Sequence, residues 1–242
     1  IHSTSDNAVT LADAAGADIG ILIGGDNGFT RLCVQSDIAS YADLRGRTIL
    51  VDAVDTGFTF QILELLHRNG VSRHDIRFKE VGATPRRLEG LLRDKAHAAA
   101  MLFPPFSLYA QQAGLKDMGP AVDVAGPYQS TVGYALRPWA AVNEATVVAH
   151  LAAYIEGQRW ALDPENETAA VRLYADWLKV PDDIARGCCE VFRSGAAKDA
   201  ALDADGFENV LALRARHLGV PVKQAEAYMD RAPYRAALAQ VS

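Results

Sequence analysis

Residues 46–66, GRTILVDAVDTGFTFQILELL, decide how the rest of this chain is read. Thr48 to Val51 form an apolar run of the length of a buried strand. Asp52 to Gly57 are a small polar turn, and Phe58 to His67 carry Phe60, Leu63 and Leu66 on one face of an amphipathic helix. Strand, turn and helix follow one another without a break, which leaves the first N–H groups of the helix without partners inside it. Asp55, Thr56 and Gly57 set side-chain oxygens and bare backbone around those donors. Two readings stay open. The turn holds a small anionic or polar group through free amides and the positive end of the helix dipole, or Asp55 or Thr56 simply caps the helix.

The same alternation continues on both sides of this block. Ala8 to Ala15 read as a helix, Asp18 to Ile23 as a strand, Tyr41 to Leu44 as a short helical turn and Ile76 to Val81 as a strand. Pro85 to Arg93 follow as a helix opened by Thr84 and Pro85, then Ala98 to Leu102 as another strand. Such alternation predicts βαβ units and a mostly parallel sheet. After a strand at Val132 to Leu136 the pattern turns helical, at Glu144 to Ala161, Asn166 to Leu178, Pro181 to Phe192, Asp205 to His217 and Val222 to Met229. Prolines 138, 164, 181, 221 and 233 punctuate that tail, which reads as a helical wrap around a sheet. The opening residues, Ser3, Thr4 and Ser5 leading to a helix capped by Asp6 or Asn7, read as a strand-to-helix loop. A leading segment ahead of residue 1 is therefore expected.

With 242 residues, half of them hydrophobic, the chain suits one large domain or two lobes of about a hundred residues each. Its charged residues are dispersed and its net charge is -6, so no basic face tracks phosphates and nucleic acid is not an expected partner. No apolar run approaches the ~20 residues of a membrane span. The opening IHSTSDNAVT shows neither the basic start nor the apolar core of a signal peptide. Cys33, Cys188 and Cys189 lack metal-type spacing, and the adjacent pair is poorly placed to bridge to itself; all three read as buried small apolar residues. The histidines at 2, 67, 74, 97, 150 and 217 are scattered, so neither a metal nor another cofactor is expected. A nucleophile elbow, an HExxH pair and a phosphate-binding GxxxxGK[ST] loop are all missing from the sequence.

Five stretches carry a resemblance: HSTSDNAV at 2–9, GADIGILIGGDNG at 16–28, DLRGRTILVDAVDTGF at 43–58, VGATPRRLEGLLRDKAHAAAMLFPPF at 81–106 and AYMDRAPYRAAL at 227–238. In this order and at these separations the chain resembles, over nearly its whole length, the substrate-binding proteins of ABC importers. The match is with the nitrate, taurine and sulfonate group, which also includes thiamine-precursor binders. The resemblance implies the α/β, two-lobed type II periplasmic-binding-protein fold, with a hinge of two crossing strands that lets the lobes close on a small ligand. One lobe would comprise residues 36–130, the other 1–35 plus 131–242. It further implies a non-catalytic monomer in the periplasm or another extracytoplasmic space, an ABC permease as partner, and a ligand that is an anion, a sulfonate, an aromatic acid or pyrimidine-like. Against the family pattern, the segment supplying the first strand, its loop and the second strand of the discontinuous lobe is absent here, and that loop usually contributes ligand contacts.

In an open α/β sheet, ligands gather outside the carboxyl ends of the strands. Four loops fit that place. Thr4, Ser5, Asp6 and Asn7 offer hydroxyls, an amide and a helix start, as ligand contacts or as a plain cap. Gly24 and Gly25 let backbone approach a ligand closely, or simply make a tight turn. Thr56, Gly57, Phe58 and Thr59 suit an anionic head group, and Phe103 with Pro104 would form an apolar wall opposite. Arg86 and Arg87 stand at a helix start, where a cation is unfavourable. Either one turns inward to a carboxylate ligand, or both lie in solvent or pair with Glu89 or Glu80. Tyr128 and Gln129 precede the return strand, to contact the ligand or to pack. Two further functions are open: an enzyme on the same scaffold, of the decarboxylase or pyrimidine-precursor synthase type, and the sensor domain of a larger receptor. An enzyme would draw on His2, whose other reading is a frayed terminus, or on Cys188 and Cys189.

Overall fold

Residues 1–242 are described by a computed structural model. In chain order its elements are β1 (His2–Thr4), α1 (Ser5–Asp13), β2 (Ile19–Ile23), β3 (Arg31–Val34), β4 (Thr48–Val51), α2 (Gly57–Arg68), β5 (Arg77–Glu80), α3 (Thr84–Arg93), β6 (His97–Leu102), α4 (Phe106–Gln112), β7 (Lys116–Pro120), α5 (Ala121–Ala125) and β8 (Thr131–Leu136). The tail adds α6 (Arg137–Val142), α7 (Glu144–Leu162), α8 (Glu167–Leu178), α9 (Asp182–Gly195), α10 (Ala204–Leu218) and α11 (Ala232–Gln240).

β4 and α2 lie where the opening stretch puts them, and their side chains explain the layering. Ile49 and Val51 point to one face of their sheet and pack with Ile62, Leu65 and Leu66 of α2, while Leu50 points to the other and packs with Leu88 and Leu91 of α3. The sheet is thus sandwiched between helices. It has five strands in the order β5-β4-β6-β3-β7, and a second sheet has three in the order β1-β8-β2. The smaller sheet packs one face against α1 and α10 and the other against α7 and α11.

The expectation of mostly parallel sheets needs correction. β4 runs parallel to β5 and β6, but β3 is antiparallel to β6 and β7, and β8 is antiparallel to both its neighbours. Parallel neighbours arise where a helix carries the chain back. β3 and β8 instead enter each from the other sheet, β8 by way of the short α5, and run against their neighbours. β3 also puts residues 31–34 in the five-stranded sheet, ahead of the expected boundary at residue 35. Two segments cross between the sheets, residues 24–30 and 121–130. They are tied together by Ser130 N donating to Asp26 O at 3.0 Å and Ala121 N donating to Thr30 O at 2.9 Å.

Two other expectations fail locally. The opening is not a loop: His2–Thr4 pair with 131–133 as β1, and Thr4 is the residue that caps α1. Residues 222–229 hold only a single turn, Ala225–Ala227, in place of a helix. Beyond that turn the chain lies along β2, with Ile21 N donating to Tyr228 O at 2.7 Å and Asp230 N donating to Ile21 O at 2.8 Å. The groups of a strand edge must find partners, and this need overrides the helical periodicity. The three cysteines are free and buried. No helix is long and apolar enough to cross a membrane.

Candidate functional site

A cavity of about 50 Å³ opens where the starts of α1 and α2 meet the second crossing segment. Thr4 and Asn7 line it from α1, Asp52, Thr56, Gly57, Phe58 and Gln61 from the β4–α2 turn and the first turns of α2, and Tyr128 and Ser130 from the crossing segment. Six residues expected from the sequence, Thr4, Asn7, Thr56, Gly57, Phe58 and Tyr128, meet here. Their side chains and backbone come from loops 45 or more residues apart, brought together because both helices follow strands of different sheets that abut at the crossover.

At the tip of α2 the protein itself takes two of the expected free donors, the amides of Gly57 and Thr59, and leaves that of Phe58 without a protein partner. Thr56 caps the helix, its Oγ1 accepting from Thr59 N at 3.4 Å, and the same hydroxyl donates to Asp52 Oδ1 at 2.8 Å. Gly57 N donates to Asp6 Oδ2 at 3.0 Å. The protein's own carboxylate therefore sits where an anion was anticipated, because a buried N–H must be paired and the first turn of α1 brings Asp6 within reach. Asp6 is buried and ion-paired with Arg214 of α10, which also donates to Thr10. Burial raises the Asp6 pKa, against the opposing pull of Arg214 and of the Gly57 amide. Gly57 is glycine for want of space: a Cβ there would lie 2.6 Å from Tyr128 Oη and 2.9 Å from Asp6 Cβ. Tyr128 is itself buried, which drives its pKa far up and keeps it a phenol.

Behind Phe58 the cavity wall is double. Phe103 stacks on Phe58 with ring centroids 6.0 Å apart and 17° between planes, and Phe106 meets Phe103 edge-on. Phe103 is thus an apolar wall one layer back from the lining. Pro104, joined to Pro105 by a cis peptide at the start of α4, lies outside it. Of the two arginines, Arg87 turns inward and Arg86 faces solvent. The Arg87 guanidinium, 1% exposed, lies 4.9 Å over the Phe58 ring and 3.6 Å from Asp52 Oδ1. It donates to Thr84 Oγ1 at 2.6 Å and leaves Nε and one terminal nitrogen unpartnered. Burial lowers its pKa, opposed by Asp52.

The remaining expected residues serve the scaffold. Ser5 donates from N and Oγ to the carbonyls of Ser130 and Gln129. Thr59 turns its hydroxyl back to Ala53 O at 2.6 Å. Gln129 donates to Asp26 O and Thr131 O and accepts from Asp203 N, pinning the crossing segments to the start of α10. Gly24 and Gly25 face the tail, not the cavity: Gly24 N donates to Ala200 O, a Cβ on Gly24 would meet Ala201 O at 2.4 Å, and Gly25 O receives Gln158 Nε2. Asp52, Gln61 and Ser130 line the cavity unforeseen. Asp52 had a signal, as the first residue beyond a buried strand. Gln61 had another, a polar residue one turn into an otherwise apolar helix.

The candidate catalytic groups stand elsewhere. His2 is no frayed end: it belongs to β1, its ring stacks on Tyr154 at 4.5 Å, and its Nε2 is 3.1 Å from that of His150. It lines a different cavity, of about 270 Å³, with Trp139 and Leu151. Burial, with His150 and the terminal amine nearby, brings its pKa down to about 4. Cys188 and Cys189 are buried in α9, and burial pushes the Cys188 thiol up to about 11, away from the thiolate a nucleophile needs.

Two helix-flanked sheets joined by paired crossing segments, with a small cavity at the carboxyl ends of their strands, define the α/β periplasmic-binding-protein fold. Comparison with solved structures agrees. The ligand-binding component of an ABC-type import system from Staphylococcus aureus, solved with zinc bound, superposes with a TM-score of 0.81 at 12% identity, over 98% of this chain and 79% of that one. The alkanesulfonate-binding protein SsuA from Xanthomonas axonopodis pv. citri, bound to MOPS, gives 0.75 at 17% identity over 96% and 80%. The desulfurization enzyme DSZB gives 0.76 at 15% identity over 100% and 85%. At these identities the likeness is one of fold. No protein-family model and no curated protein matches the chain.

Proposed function

We propose that this chain is a solute-binding receptor that captures a small polar molecule between two lobes and delivers it to an ABC-type permease, in an extracytoplasmic compartment. The observation that carries this reading is the cavity itself, whose lining is shared by α1, α2 and the crossing segment. The lobes of this reading are those anticipated at 36–130 and at 1–35 plus 131–242, with the first boundary moved ahead of Arg31 because β3 pairs within the larger sheet. A ligand touching both lobes favours the closed state and shifts the population towards it, so trapping is the mechanism and no chemistry is required. Of the residues expected from the sequence, Thr4, Asn7, Thr56, Gly57, Phe58 and Tyr128 make up this site, now joined by Asp52, Gln61 and Ser130. The import components among the structural neighbours support the receptor reading.

The likeness to DSZB supports a second reading, an enzyme on this scaffold. Native mass spectrometry of freshly purified protein separates the two. A receptor carries an added mass that leaves unchanged on unfolding, and the released solute, returned to the emptied protein, contracts it in small-angle scattering. Release of a chemically altered molecule would establish the enzyme instead. Failure of any solute to change mass or scattering would remove the receptor reading.

A further inference from the structure

Resting on the receptor reading, we infer that the group this cavity recognises is a planar N–H donor, such as an amidine, a guanidine, an amide or the edge of an aminoheterocycle, and not an oxyanion. Three observations converge. The helix tip that would attract an anion already holds one, since Gly57 N donates to Asp6, and the Thr56 hydroxyl is spent on Asp52. Among the lining residues the only charged side chain is Asp52. Its Oδ1 takes the Thr56 hydroxyl, and its Oδ2 accepts no hydrogen bond from the protein. Of the cations nearby, Arg214 pairs with Asp6, while Arg87, buried behind Phe58 and outside the lining, faces Asp52 Oδ1 at 3.6 Å and leaves Oδ2 without a protein partner. The lining thus offers a guest one carboxylate oxygen, Asp52 Oδ2, that no protein donor occupies.

Size and shape narrow the class. A space of about 50 Å³ takes a group of roughly four or five non-hydrogen atoms, the size of a head group. Phe58, backed by Phe103, gives it a flat wall, which suits a planar group lying along the ring with its N–H edge towards Asp52. A sulfonate or carboxylate in the same place would set its oxygens against the Asp52 carboxylate, an arrangement that costs both desolvation and repulsion. An N–H donor forms a charge-assisted hydrogen bond there.

Acetamidine, acetamide and acetate form a series of one size and three polarities. Each is titrated at neutral pH into the intact, emptied protein while the backbone amides of Gly57 and Phe58 are followed by NMR. Acetamidine is expected to shift these amides saturably, acetamide more weakly, and acetate to bind at least about tenfold less tightly than acetamidine. D52N is expected to weaken acetamidine by about tenfold or more and to close the gap with acetamide. The wild-type series stands by itself if D52N fails to fold. Preference for acetate, no response to any of the three, or unchanged acetamidine binding in D52N would overturn the inference. None of those results touches the retained-solute mass, so the receptor reading would fail or stand separately.

Discussion

Asp6 joins three parts of the molecule through one carboxylate: α1, to which it belongs, the amide of Gly57 at the tip of α2, and Arg214 on α10. Removing the charge leaves a buried guanidinium without its partner. D6N is expected to destabilise the protein by about 3 kcal/mol or more in chemical denaturation, and D6N combined with R214M by less than the sum of the two changes. Gly57→Ala drives a methyl into Tyr128 and Asp6 and should cost about 1–3 kcal/mol in the same measurement. The His2 pKa is about 4 in the fold against 6.5 ordinarily, so the folded state resists a proton that the unfolded chain accepts. The stability due to neutral His2 is full above pH 6.5 and is lost as the pH falls towards 4. His2→Gln should flatten that part of a stability–pH curve, leaving the smaller slope due to His217, whose pKa burial also lowers. At this scale the sequence revealed caps and little else. Thr56 is legible as a cap because its partner is three residues away. Asp6 finds its partners 51 and 208 residues along the chain, and no local pattern announces them.

The elements were legible where periodicity ran long enough to be measured. β4, α2, α3 and α7 to α10 fall within a few residues of their expected limits. Most of the missed ones, β1, β3, β7, α5 and α6, are three to six residues long, too short for a repeat of either period to be seen; α4 and α11, of seven and nine residues, were missed as well. Residues 222–229 had the period of a helix and none of its tertiary support, since the open edge of β2 claims their backbone. The join between elements rests more narrowly. Gln129 alone ties Asp26, Thr131 and Asp203 together, so Gln129→Ala should destabilise by about 2 kcal/mol. Hydrogen exchange should show the amides of Ser130 and Asp203 losing protection ahead of those of β4.

For the molecule as a whole, the class of fold was legible from the alternation of strand and helix, but the way the chain is interleaved was not. β8 lies between β1 and β2 and holds both. A strand contributed by a distant segment leaves no local trace, because its own composition says only that it is a buried strand. The cavity shares that illegibility, since its walls meet only through the crossing segments.

The central place of β8 has a consequence for how the chain is made. β1 and β2 hydrogen-bond to β8 and not to each other, so the strand that joins them is missing until residues 131–136 have left the ribosome. At ordinary rates of synthesis that delay is about 5–20 s. Throughout it the apolar residues of DIGILI stand without their partner strand, in a nascent polypeptide whose larger sheet can already assemble. This protein should therefore lean on holding chaperones early in its synthesis, and substitutions that weaken β8 should appear first as aggregation of newborn chains.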